Sequence, residues 1–151
     1  MSSDDYYNRI YTTLMPLNLV SRLSASDFAN CGSLLGQYKT DTTVVMFYST
    51  NCRFCQEFAI QLSNFSEKYA DKLNTRVAAI NISTNPTIVS MSKNFPYDIK
   101  TQPSVIVYFN GKPCSSYAGY KTGRTAEDLA AFIQKINGPT QTCDFKFVPC
   151  D

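Results

Sequence analysis

Apolar residues along this chain follow two rhythms, and the way these alternate predicts an order of structural elements. Runs of β-branched and aromatic residues at 43–49, 76–82 and 104–109 are nearly continuous, as strands need when both faces of a sheet are covered. Between them, apolar residues recur at three- and four-residue steps, the spacing that lines up one helix face. Phe58, Leu62, Phe65, Tyr69 and Leu73 form the clearest stripe. Ile88, Met91 and Phe95 form a shorter one behind Asn85-Pro86, an N-cap and first-turn proline. The last stripe is Leu129, Phe132, Ile133 and Ile136, opened by Thr125 with Asp128 and stopped by Gly138-Pro139.

The remaining segments complete the order. Tyr6, Tyr7, Ile10, Tyr11 and Leu14 predict a short amphipathic helix over 4–15, ended by Pro16. Residues 17–23 predict a first strand. Ser24 with Asp27 then predicts a helix start, with Phe28, Cys31 and Leu35 on its apolar face. Asn110-Gly111 is a hairpin turn signal, so a strand at 112–118 is expected to pair antiparallel with the one before it. Residues 139–151 are left as a polar-aromatic tail. Behind the N-terminal helix the predicted order is β-α-β-α-β-α-β-β-α, an α/β architecture with helices on both faces of a mixed central sheet.

The chemistry is concentrated where the central strand ends, at Cys52-Arg53-Phe54-Cys55. The helical stripe begins immediately after, so both sulfurs fall in the first turn of a helix. Unpaired backbone N–H groups and the positive end of the helix dipole favour an anion there. A thiolate forms more readily at such a place than the usual thiol pKa of about 8.5 allows. Two residues of spacing also let the sulfurs close a disulfide, which makes the pair a candidate redox site.

Composition narrows the alternatives. The chain has 151 residues and 44% apolar content, enough for one domain with a core, and no histidine at all. Sites of the Cys-His or Ser-His-Asp type and histidine metal ligands are thereby excluded. The net charge of +2 is small and scattered, which argues against nucleic acid as a partner. No apolar run suits a signal peptide or membrane span, so a cytoplasmic location is expected. Six cysteines are many for that compartment. The sequons at Asn64 and Asn81 are read as chance matches.

Taken together, these segments resemble the thioredoxin superfamily, protein disulfide isomerase domains included, over residues 17–138. The resemblance is carried by the strand into Cys52-Arg53-Phe54-Cys55, then Val77-Ala78-Ala79-Ile80-Asn81-Ile82 and Asn85-Pro86. It continues through Tyr97-Asp98-Ile99-Lys100-Thr101-Gln102-Pro103-Ser104, Tyr108-Phe109-Asn110-Gly111-Lys112 and Tyr117-Ala118-Gly119. It implies a thioredoxin fold with an N-terminal helical extension (1–16) and a C-terminal tail (139–151). It implies a thiol-disulfide oxidoreductase with Cys52 as nucleophile and Cys55 as resolving cysteine. A cis bond before Pro103 is implied, with Gln102 and Pro103 presenting an edge to an extended substrate strand. Arg53 and Phe54 would tune the site. The implied partners are protein thiols and disulfides and an unidentified electron donor or acceptor, with no cofactor beyond the cysteines and no metal. A monomer or weak dimer, without nucleic acid or membrane, is expected. Large DNA viruses also carry members of the family, so a virion location is a second expectation.

The chain departs from the family's pattern at Gln102 before the proline and in the Arg53-Phe54 spacer, and at three further positions. Asn51 stands where a tryptophan usually precedes the first cysteine, Met46 replaces the buried acid of the central strand, and Ala79 replaces the lysine often paired with it. The acid usually accepts the proton of the resolving thiol, so reduction of substrates is expected to be slow. The alternative function is a redox-inert or slow binding module with the same fold, and half a zinc site is a weaker one. Cys143 and Cys150 are expected to form a disulfide pinning the tail, with Cys114 as a competing partner, and Cys31 is read as a free core thiol.

Overall fold

A computed structural model describes residues 3–117, 125–139 and 142–146. Its centre is β2 (Thr42–Tyr48), buried at every residue. This strand pairs parallel with β3 (Thr75–Asn81) and antiparallel with β4 (Ser104–Phe109). The two-residue β1 (Ser21–Arg22) lies outside β3, and β5 (Lys112–Ser116) outside β4. The five-stranded order is β1-β3-β2-β4-β5, three parallel strands followed by an antiparallel hairpin.

Strand alternation divides the core in two. Val44, Met46 and Tyr48 face a layer holding α1 (Ser3–Leu14), α2 (Arg53–Lys68) and α4 (Ala126–Ile136). Val45 and Phe47 face the other layer, which holds α3 (Pro86–Met91) and the segment from Leu23 to Tyr38. The predicted capping box forms at α4, where Thr125 Oγ1 accepts the Asp128 N–H at 3.1 Å. The hairpin turn has positive φ at both Asn110 (52°) and Gly111 (82°). A side chain at Gly111 would meet the Leu34 carbonyl at 3.0 Å, so only glycine suits that turn.

Two predicted elements are shorter than expected. The first strand reaches only residues 21–22, because Leu19 and Val20 turn back to bond the Pro16 carbonyl. The helix expected from Ser24 is a single 3-10 turn, Ala25–Asp27, although its capping box is present. Gly32 (φ 91°) and Gly36 (φ 63°) are left-handed, and Leu34 N–H bonds Gly111 O at 2.7 Å. The backbone there folds into a tight loop, with Ala29 N–H to Ser33 O at 2.8 Å and Leu35 N–H to Asp27 O at 2.9 Å, and docks on the hairpin instead of continuing as a helix.

The N-terminal helix is docked at its C-terminal end. Carbonyls at a helix end have spare acceptor capacity, and that of Tyr11 takes the Met15 N–H at 2.7 Å. The Arg22 guanidinium donates to those of Tyr11 (3.1 Å) and Met15 (2.7 Å), and to Val20 O at 2.9 Å. Its positive charge also suits the negative end of the helix dipole. From the other side, the Ser63 hydroxyl of α2 donates to Leu14 O at 2.6 Å.

The tail is tied to β5, but not as expected. Cys143 is bonded to Cys114, not to Cys150, which lies outside the described residues. The reason is local pairing. Phe145 N–H donates to Cys114 O at 3.0 Å and Asp144 N–H to Ser115 Oγ at 3.3 Å, so the tail runs along the sheet edge with Cys143 against Cys114. Cys31 is likewise disulfide-bonded, not a free thiol.

Candidate redox site

Cys52 and Cys55 form a disulfide with Cα atoms 5.2 Å apart. Cys52 is the N-cap of α2, with extended backbone (φ −144°, ψ 103°), and its sulfur accepts the Cys55 N–H at 3.2 Å. A sulfur thus occupies the place usually held by a hydroxyl or carboxylate oxygen at a helix start. The amphipathic stripe explains why the helix begins there. Cys55, Phe58, Ala59, Leu62 and Phe65 are buried beneath it, while Cys52 remains half-exposed.

The neighbouring strands place the rest of the site. β2 ends at Tyr48 and β4 starts at Ser104, which pairs with Phe47. The cis peptide bond Gln102–Pro103 therefore lies at the same end of the sheet as the 49–52 turn. Pro103 is buried and Gln102 half-buried. The Gln102 amide donates to Ile99 O at 2.6 Å, so its side chain is folded back on its own loop and leaves the backbone as the edge on offer.

Arg53 and Phe54 stand outward. Arg53 has its side chain 87% exposed and its Nε 3.6 Å from Glu57 Oε1, one helical turn on. An exposed, paired cation exerts little field on a sulfur. The helix terminus is therefore the better-placed source of thiolate stabilisation. Phe54 is 55% exposed, an apolar ring beside the disulfide.

Met46 and Ala79 are partners across the β2–β3 ladder, both fully buried in the layer that contains Cys55. No Asp or Glu is buried among the described residues. The proton acceptor expected by resemblance is thus missing from the fold as well as from the sequence.

Residue-by-residue reading missed the aromatic support behind the turn. Tyr11 of α1 donates its hydroxyl to Ser49 O at 3.0 Å, with Cys52 O at 3.4 Å, and its ring lies 4.4 Å from that of Tyr48. Burial pushes the Tyr11 hydroxyl above the usual phenol range, and Tyr48 and Tyr7 add to the shift. Tyr48 is also raised by burial, with the Arg22 cation working against it. An apolar stripe on a helix does not reveal which of its rings carries a bond to a loop 38 residues away. A cavity of about 320 Å³ opens nearby, lined by Tyr7, Asn8, Arg22, Tyr48, Thr50 and Asn81 among others. Polar groups along it bond one another, as in Asn81 Nδ2 to Thr50 Oγ1 at 3.2 Å, and neither sulfur lines it.

A family model described as Thioredoxin matches residues 26–135. Among curated proteins, the chain is 25% identical over 96 residues to Uncharacterized protein 196R of Invertebrate iridescent virus 6, covering 63% of this chain and 51% of that one. It is 31% identical over 92 residues to a Thioredoxin of Alicyclobacillus acidocaldarius subsp. acidocaldarius, covering 60% of this chain and 81% of the relative. Among solved structures, the first thioredoxin domain of mouse Protein disulfide-isomerase A4 is similar at a TM-score of 0.64 and 21% identity. That match covers 87% of this chain and 86% of the domain. The chain spans about half the length of the viral relative and 31% of the zinc-bound human ERp44 chain it also resembles.

These likenesses overturn the cytoplasmic location expected from sequence. ERp44, ERdj5, Protein disulfide-isomerase A4 and Eps1p are oxidoreductases of the endoplasmic-reticulum lumen and secretory route, not cytoplasmic proteins. Among the described residues no cysteine is free. No described helix is long and apolar enough to cross a membrane.

Proposed function

The chain belongs to the thioredoxin family, and from that membership and the geometry of its Cys52–Cys55 disulfide we propose that it exchanges disulfides with protein substrates. The observation that carries the proposal is a half-buried sulfur at the N-cap of a helix, accepting a backbone N–H, at the same sheet end as a cis-proline loop. Residues 17–138 form the exchange domain, with 1–16 as a helical extension and 139–151 as a tail.

In the oxidised form described here, a substrate thiolate attacks Cys52 Sγ. The Cys52–Cys55 bond breaks, and Cys55 leaves as a thiolate that takes up a proton. A second substrate thiolate then attacks the substrate sulfur of the mixed disulfide and displaces the Cys52 thiolate. The substrate loses two electrons and the protein gains them. In the opposite direction the Cys52 thiolate attacks a substrate disulfide, and Cys55, once deprotonated, attacks Cys52 Sγ to release a reduced substrate. The backbone at Gln102 offers a pairing edge to an extended substrate, and Phe54 offers an apolar contact. An electron donor or acceptor of the thiol-disulfide class resets the pair, and the protein acts as a monomer or weak dimer.

The Cys55 step is the slow one in substrate reduction. Burial disfavours its thiolate, and among the described residues no buried carboxylate stands ready to take the proton. Met46 and Ala79 therefore favour a second reading, a family member whose mixed disulfides are long-lived and whose turnover is poor. Cys55→Ala, incubated with candidate substrates and run on non-reducing gels, is expected to accumulate Cys52-linked mixed disulfides that dithiothreitol releases. Absence of such adducts with the protein folded and Cys52 alkylatable would sink the exchange reading.

A further inference from the structure

We propose that Tyr11, on the helix preceding the family-matched segment, is a positioning residue for the Cys52 thiolate: its hydroxyl ties the two ends of the 49–52 turn so that the Cys55 N–H stays aimed at the sulfur. The inference rests on the reading of Cys52 as nucleophile and adds to it a residue from outside residues 26–135.

Four observations meet at this hydroxyl. Tyr11 is 2% exposed, and its O–H points at the backbone of the turn, 3.0 Å from Ser49 O and 3.4 Å from Cys52 O. Ser49 follows the last residue of β2, and the Cys52 carbonyl is the first of α2, accepting Gln56 N–H at 3.1 Å. The single O–H proton, directed mainly at Ser49 O and shared weakly with Cys52 O, therefore spans strand end and helix start across Thr50 and Asn51. The ring is held by Tyr48, and the helix that carries it by Arg22 and Ser63. Burial keeps the phenol protonated throughout the range where thiols titrate, so the donor does not switch off.

The consequence follows from how a helix start stabilises an anion. The Cys55 N–H to Cys52 sulfur distance of 3.2 Å depends on the backbone of residues 49–52 holding its course. A hydrogen bond to the charged form lowers a pKa only while its geometry lasts. Few other groups compensate. Arg53 and Glu57 on α2 pair with each other in solvent, and Arg22 on β1 is engaged with carbonyls and Tyr48. Burial holds the Tyr48 phenol above its ordinary range, and no described carboxylate is buried.

The test uses the reduced 151-residue chain. The Cys52 thiolate is titrated by the pH dependence of iodoacetamide alkylation, mapped to Cys52, in wild type, Tyr11→Phe and Ser63→Ala, with thermal melts alongside. Tyr11→Phe keeps the ring and is expected to raise the Cys52 midpoint by about 0.5–1 unit, slowing alkylation roughly three- to tenfold below it. Ser63→Ala loosens the same helix away from the turn and is expected to lower the melting temperature while leaving the midpoint in place. An unchanged midpoint in Tyr11→Phe, with wild type titrating below an ordinary thiol, overturns the positioning role alone. Equal shifts in both variants overturn it too, because they report general loosening. A wild-type midpoint at or above the ordinary value of about 8.5 overturns the thiolate reading itself, and this proposal with it.

Discussion

Cys52–Cys55 joins positions three residues apart at the start of α2, where a backbone N–H lies 3.2 Å from the Cys52 sulfur. Cys114–Cys143 joins positions 29 residues apart, between an edge strand and the tail, with the Ser115 hydroxyl 3.9 Å from the Cys114 sulfur. In each pair one cysteine is buried and the other reaches solvent. Access alone therefore does not separate them. The difference lies in loop length and in donors. A short loop removes little entropy from the unfolded chain and gives the bond little hold on the fold, whereas a long one gives much. Donors at a helix start stabilise the thiolate that exchange requires, and a distant hydroxyl does so weakly. The first bond is built to open and the second to hold.

The sharpest way to break this comparison is to remove one sulfur from each pair. In a dithiothreitol-driven insulin reduction assay, Cys52→Ser is expected to lose essentially all turnover above background, while Cys143→Ser stays within about twofold of wild type. Comparable losses in the two variants would erase the distinction between exchanging and holding.

Stability is expected to rank the bonds the other way. Chain-entropy arithmetic for a 29-residue loop gives about 3–4 kcal/mol, so Cys114→Ala with Cys143→Ala should lower the denaturation midpoint markedly. The matching double variant at Cys52 and Cys55 should lower it much less. Denaturant titrations of both read this directly, and a larger loss from the Cys52 and Cys55 pair would reverse the assignment.

A smaller effect concerns the core beneath the tail. Phe145 packs 6.0 Å from Tyr97, whose hydroxyl donates to Gly32 O at 2.8 Å and accepts from Tyr108 at 2.7 Å. Burial pushes both phenols above their ordinary value of 10.0. With folded values raised, the unfolded chain releases protons first as pH climbs. The stability from these neutral phenols is thus complete below about pH 10 and falls as pH rises toward the folded values. Melts between pH 8 and 11 should show the decline. Tyr108→Phe should cost about 1 kcal/mol at pH 8 and make the alkaline slope shallower. An unchanged slope would remove the phenol pair from the explanation.

Much of this was legible before any coordinates. Continuous β-branched runs and period-three-to-four patterning locate β2, α2, β3, β4 and α4, because burial on both sheet faces or one helix face leaves its mark on neighbouring residues. Asn110-Gly111 announced the hairpin for an equally local reason, since both residues must take positive φ. The segment from Ser24 misled for the opposite reason. Its capping box is real, yet Gly32 and Gly36 turn left-handed, and Leu34 pairs with a hairpin 77 residues further on, which no local signal records. The Gln102 amide bonds Ile99 O within its own loop, a contact that the residue pattern does not record.

What the sequence by itself determined is therefore the sheet, the helix that starts at the cysteines, and the absence of a buried acid at Met46. Each depends on residue type and short spacing, which a linear reading contains in full. Tertiary structure alone decided that Cys143 joins Cys114, that Cys31 is bonded, and that Tyr11 reaches the turn before the nucleophile. Those choices depend on which distant segments the sheet brings side by side, and contacts across 29 or 38 residues leave no periodicity in the chain.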